Sequence, residues 1–151
     1  MNHTIVNLPE SYVLGKTIIT DNSKNGEEIG ALAGEFQANN VAATITHRSD
    51  ENVLAIYTDY ESDYTAPYRY VMGCKVDSTN EQVDGLYQHT IPAGKYAVFT
   101  SQGPFPTALV ETWQWIWANF ETDRAYTADF EVYTPDFNPA DAKIDIYIAL
   151  K

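Results

Sequence analysis

The feature that most limits how this chain can fold is that it is written twice. LAIYTDY (54–60) and DFEVYTPDF (129–137) share an alternating centre in which Ile56-Tyr57-Thr58 matches Val132-Tyr133-Thr134. Alternation of apolar and polar residues is the period of a half-buried strand. Each copy sits in a longer repeat. The first half runs TIVNLPESYVLGKTII (4–19), a turn at Asp21-Asn22, EEIGALAGEFQA (27–38), VLAIYTDY (53–60) and YRYVMGCKV (68–76). The second runs YQHTIPAGKYAVFTSQG (87–103), FPTALVETWQWIWANF (105–120), FEVYT (130–134) and KIDIYIAL (143–150). Both read strand–helix–strand–strand, and Leu8-Pro9 with Tyr12 in one corresponds to Ile91-Pro92 with Tyr96 in the other.

The helical segments are set by a 3.6-residue period, which predicts helices over about 25–39 and 105–120. Ile29, Leu32, Ala33 and Phe36 form the apolar stripe of the first, and Leu109, Trp113, Ile116 and Phe120 that of the second. Segment 40–51 has no period and reads as a connection. Neither half buries its apolar faces well alone, so the expectation is one antiparallel α+β domain over 1–151. Its two units, about 3–77 and 85–151, would be related by a pseudo-two-fold axis. Leu54, Ile56, Phe130, Val132, Ile144, Ile146, Ile148 and Leu150 are expected to pack under the helices. Ala55, Tyr57, Glu131, Tyr133, Asp145, Tyr147 and Ala149 are then left for a groove on the other face.

The repeat departs from symmetry at one chemically sharp position. Glu131 lies between Phe130 and Val132, and its counterpart in the first half is Ala55. A carboxylate among tyrosines and small residues can serve a positively charged aromatic ligand, and it is also an ordinary residue of an exposed sheet face. The chain is rich in the rings such a site would use, with 11 Tyr and 3 Trp. Trp115 falls off the apolar stripe of its helix and Trp117 flanks it, so either can line a groove or be covered elsewhere.

The charge narrows the partners. Nine basic against 21 acidic residues give a formal −12, which disfavours direct contact with nucleic acid or an anionic membrane. It suits a cationic ligand, a basic protein partner or solubility. No apolar run approaches the ~20 residues of a membrane span, and the N-terminus lacks the pattern of a signal peptide. The single Cys74 allows no internal disulfide and fits a reducing, cytoplasmic setting. His3, His47 and His89 are scattered, with no metal spacing and no nucleophile–His–acid order, and no cofactor is implied. Gly26, Gly30 and Gly34 run along a helix and make no phosphate loop.

Three stretches in this order and spacing, IPAGKYAVFTSQGP (91–104), WQWIWANF (113–120) and DFEVYTPD (129–136) with DIYIAL (145–150), make nearly the whole chain similar to the GyrI-like family. These effector-binding domains also occur fused to AraC-type and MerR-type transcription regulators. The resemblance implies a ligand-binding domain for lipophilic, cationic aromatic molecules, as in multidrug recognition, with Glu131 as the acid that faces the cation. Tyr133, Tyr57, Tyr147, Trp113, Trp115 and Trp117 are the candidate ligand-binding rings. No helix-turn-helix precedes the domain here, so a stand-alone form is expected, acting by sequestration or through a separate regulator. Two other readings stay open. One is a small hydrolase of electrophilic molecules with Glu131 as base and Tyr57 or Tyr147 as donor. The other is an acidic inhibitor of a DNA-binding enzyme.

Overall fold

Proline lacks a ladder N–H, and Pro9 and Pro92 divide each expected opening strand in two. In the computed structural model, which describes residues 1–24, 26–77 and 82–151, the first half contains β1 (Thr4–Leu8), β2 (Ser11–Thr20), α1 (Glu27–Ala38), α2 (Val41–Thr44), β3 (Val53–Thr58) and β4 (Tyr68–Val76). The second contains β5 (Tyr87–Ile91), β6 (Gly94–Gly103), α3 (Thr107–Asn119), β7 (Ala128–Tyr133) and β8 (Ala142–Ala149). The plan of each half is therefore strand–strand–helix–strand–strand. Both long helices fall inside the predicted spans, although position 25 lies outside the described residues. The stretch expected to be irregular holds the short α2, whose single turn is too brief to show a period. It is pinned by buried Val41 and Ile45.

All strand pairs are antiparallel and form one curled sheet in the order β1-β6-β8-β7-β3-β4-β2-β5. Exchanging the halves reverses this order onto itself, with the axis between β7 and β3. The first strand of each half crosses over: β1 pairs with β6, and β5 pairs with β2. At the axis Ala55 is the register partner of Glu131. The divergence seen in sequence thus has an electrostatic rationale. Equivalent positions meet across the axis at cross-strand distance, and a glutamate in both would oppose two buried like charges.

One expectation about the faces is corrected. α1 packs with Leu14, Ala55, Tyr68, Tyr70 and Met72, and α3 with Phe99, Ile144, Ile146 and Ile148. Leu54, Ile56 and Phe130 lie on the far side of the sheet with Val13, Val71 and Tyr96, partly covered Val132 beside them. Because the sheet curls, both faces are buried, so alternation shows which residues share a face but not which face the helices cover.

Gly15 and Gly73 are partners in the β2–β4 ladder. A β-carbon at Gly15 would lie 2.2 Å from the Met72 carbonyl oxygen, and one at Gly73 2.1 Å from that of Leu14. Close backbone approach requires glycine here. Gly73→Ala should therefore cost about 1–3 kcal/mol by forcing the strands apart, read as a lower denaturant midpoint.

Candidate functional site

The helix side of β7 presents Asp129, Glu131 and Tyr133 in succession. Two of these are fully buried acids, and the structure treats them differently. Asp129 has a counter-ion, because Arg124 Nη2 is 2.8 Å from its Oδ2 and both side chains are 0% exposed. The same carboxylate accepts from Tyr60 Oη at 2.6 Å and from the Ala149 backbone N–H at 2.8 Å. Glu131, 1% exposed, has no cationic partner among the described residues. Its Oε2 accepts from Tyr57 Oη at 2.8 Å and from Trp113 Nε1 at 2.7 Å, and its Oε1 from Tyr133 Oη at 2.7 Å.

These contacts assemble from distant segments. Tyr57 comes from β3, where it follows Ala55 on the same face, and Trp113 descends from the middle of α3. Burial pushes the Glu131 carboxyl above its usual value, and the hydrogen bonds from Tyr133, Trp113 and Tyr57 only partly oppose this. Burial and the neighbouring Glu131 also hold Tyr57 and Tyr133 well above the usual phenol range, so both remain donors at neutral pH.

Glu131 borders a cavity of about 960 Å³ between α1 and α3, at the upper end of small-molecule sites. The floor is aromatic. Tyr57 meets Tyr70 and Trp113 edge-on, with ring centroids 5.3 and 5.2 Å apart. Towards one end, Tyr64 in the β3–β4 connection stacks on Trp117 at 5.3 Å with the planes 3° apart. Asn22 Nδ2 donates to the Tyr64 carbonyl at 2.7 Å. A smaller hollow of about 420 Å³, bordered by Asp136, Asp141 and Asp145, contains no buried charge.

Five residues singled out in sequence meet at this cavity: Glu131, Tyr133, Tyr57, Trp113 and Trp117. Two do not, and are corrected. Tyr147 points to the far side of the sheet, where its ring stacks on Phe130 at 4.6 Å. Register forces this, because Tyr147 is the partner of Phe130 while Ile146 is the partner of Glu131. Trp115 is half-buried in the packing under α3, its ring 5.9 Å from that of Phe99. The sequence reading missed Tyr68 and Tyr70, although their spacing in β4 repeats that of Ala55 and Tyr57. It also missed Tyr60, Tyr64 and Arg124, which lie in connections without a period.

Comparison with known proteins gives a concordant result. The profile of the family described as Cass2, integron-associated effector binding protein, matches residues 4–150. YobU of Bacillus subtilis (strain 168), named as a transcriptional regulator, is 31% identical over 128 residues, 82% of this chain and 79% of its own. An integron cassette protein from the mobile metagenome of Vibrio cholerae has a similar structure, with a TM-score of 0.79 and 26% identity over 99% of this chain and 95% of that one. SAV2435, solved bound to tetraphenylphosphonium, shares the fold at a TM-score of 0.79 and 19% identity, covering 100% of this chain and 94% of that one.

Proposed function

The chain belongs to the family of integron-associated effector binding proteins, and from that premise we propose that its cavity binds lipophilic aromatic cations, with the Glu131 carboxylate as counter-charge. The observation that carries this reading is the contrast on β7. Asp129 is neutralised by Arg124, whereas Glu131 is buried as deeply, borders an aromatic cavity and has only neutral donors. A buried charge without a partner is costly, and a guest cation removes that cost while stacking on the rings for about 0.5–2 kcal/mol of cation–π attraction. The three donors fix the carboxylate in place, and a cation lacking N–H groups needs no further hydrogen bond from it. The cationic ligand in SAV2435 agrees with this assignment. Binding is favoured over hydrolysis, because Tyr147 is on the wrong face to donate and Tyr57 is already committed to Glu131. Sensing on behalf of a separate regulator in the cytosol, or sequestration, would follow from the relatives named as regulators.

The reading has a pH signature. The Glu131 carboxyl is raised above its usual 4.5, so the stability it contributes is fully present below the unfolded-chain value and is lost as the pH rises through the folded value. Affinity for a permanent cation moves the other way, because only the carboxylate attracts it. Calorimetric titration with tetraphenylphosphonium should give a roughly micromolar dissociation constant at pH 7, about 8 kcal/mol, weakening as the pH falls through the raised value. Neutral triphenylphosphine oxide should bind at least about tenfold more weakly and without that dependence, since it gains only burial. Equal affinities for the two, or a flat pH profile, would remove the charge from the account.

A further inference from the structure

Gly30 and Gly34 lie inside α1, where glycine is the poorest helix former after proline. Neither position demands it. Neither has positive φ, and a β-carbon built at either would meet no heavy atom within 4 Å. The fold gains nothing from these residues and loses helix stability at both. They do share a location. One turn apart, both border the cavity, beside Ile29, Ala33, Phe36 and Gln37 of the same helix, and both are exposed, while Leu32 is buried away from it. The backbone of α1 is therefore bare at these two points of a lip that Ile29, Ala33 and Gln37 also line. The α3 side of the same cavity includes Phe105 and Val110, which are 37% and 46% exposed.

We propose that Gly30 and Gly34 are specificity-determining residues that hold the cavity open for bulky cations whose aromatic groups extend out of one plane. The inference rests on reading the cavity as a cation site. The cavity is marked as a cation site independently of the glycines by Glu131, which is buried, borders it and has only neutral donors. A side chain at position 30 or 34 projects into open space at the mouth. It would narrow the opening for a tetraaryl cation, while a small aryl cation could still reach the rings around Glu131.

The test uses the full chain and two probes, tetraphenylphosphonium and phenyltrimethylammonium, titrated into the parent and the Gly30→Leu, Gly34→Leu, Gly30→Ala and Gly34→Ala variants. The leucine variants should lose affinity for tetraphenylphosphonium by at least about tenfold and stay within about twofold for the smaller cation, the scale of a blocked hydrophobic subsite. The alanine variants should melt about 1–4 °C higher, because the added methyl group strengthens the helix and meets nothing. They should shift the ratio of the two affinities in the same direction, by less, which keeps the test decisive if a leucine variant fails to fold. Unchanged tetraphenylphosphonium affinity, or an equal loss for both probes, would overturn the size limit alone. A parent that binds neither cation would overturn the reading of the cavity and this inference with it.

Discussion

Replacing Arg124 by methionine should destabilise the protein by about 3–5 kcal/mol, the cost of removing one partner from a buried ion pair. The guanidinium has no access to solvent and is held at several points. It reaches Asp129 at 2.8 Å and Glu121 at 3.1 Å, and it lies over the Tyr126 ring at 4.2 Å. Methionine fills much of the same space, so the loss is electrostatic before it is steric. Asp129 would keep the Tyr60 hydroxyl and the Ala149 amide as donors but would carry a buried charge with no counter-charge. For a domain of this size the melting temperature should fall by roughly 6–20 °C. A double variant, Arg124→Met with Asp129→Asn, removes the stranded charge, keeps an oxygen for the Ala149 amide and turns its nitrogen towards Tyr60, whose hydroxyl can accept. It should recover a substantial part of the loss, seen as non-additivity in a double-mutant cycle. If the double variant is as unstable as the sum of the single ones, the pair is not the source of the effect.

This ion pair also shows where the sequence stops being readable. Arg124 and Asp129 are five residues apart in a segment with no period, and nothing in the string distinguishes Asp129 from an exposed acid before a strand. The pair is completed by Tyr60, which donates to Asp129 from the other half of the chain. The duplication, the two long helices and the antiparallel α+β class were legible because each rests on a repeated pattern. The crossing of β1 and β5 to the opposite halves was not, because a hydrophobic pattern says that a strand needs partners without naming them. Tyr147 was misplaced for a related reason. Its parity along β8 was clear, but only the pairing of Phe130 with Tyr147 shows that this parity faces away from Glu131. Glu131 stood out because the repeat supplies its own control, with alanine at the equivalent position. That the two positions face each other across the axis was visible only in the structure.

Glu131→Gln should weaken the binding of a lipophilic cation by about 1.5–3 kcal/mol, the scale of an interaction with a charged hydrogen-bonding group, or about 10–150-fold. The variant keeps the shape of the site. Trp113 Nε1 can only donate, so the new amide must turn its oxygen towards Trp113 and Tyr57 and its nitrogen towards Tyr133, whose hydroxyl can accept. Every buried polar group then retains a partner. Unfolding free energy at neutral pH should be unchanged or somewhat higher, since an uncompensated buried charge has been removed from the empty protein. Loss of binding with retained stability separates a ligand's counter-ion from a structural acid, whose removal would lower both.

The most direct measurement is calorimetric titration of tetraphenylphosphonium into the parent and into Glu131→Gln at pH 7 under identical salt. A dissociation constant 10–150-fold weaker in the variant, with melting temperature maintained, is the predicted result. Equal dissociation constants for the two proteins would contradict the account, because the cation would then be held by the rings of the cavity without help from the carboxylate beneath them.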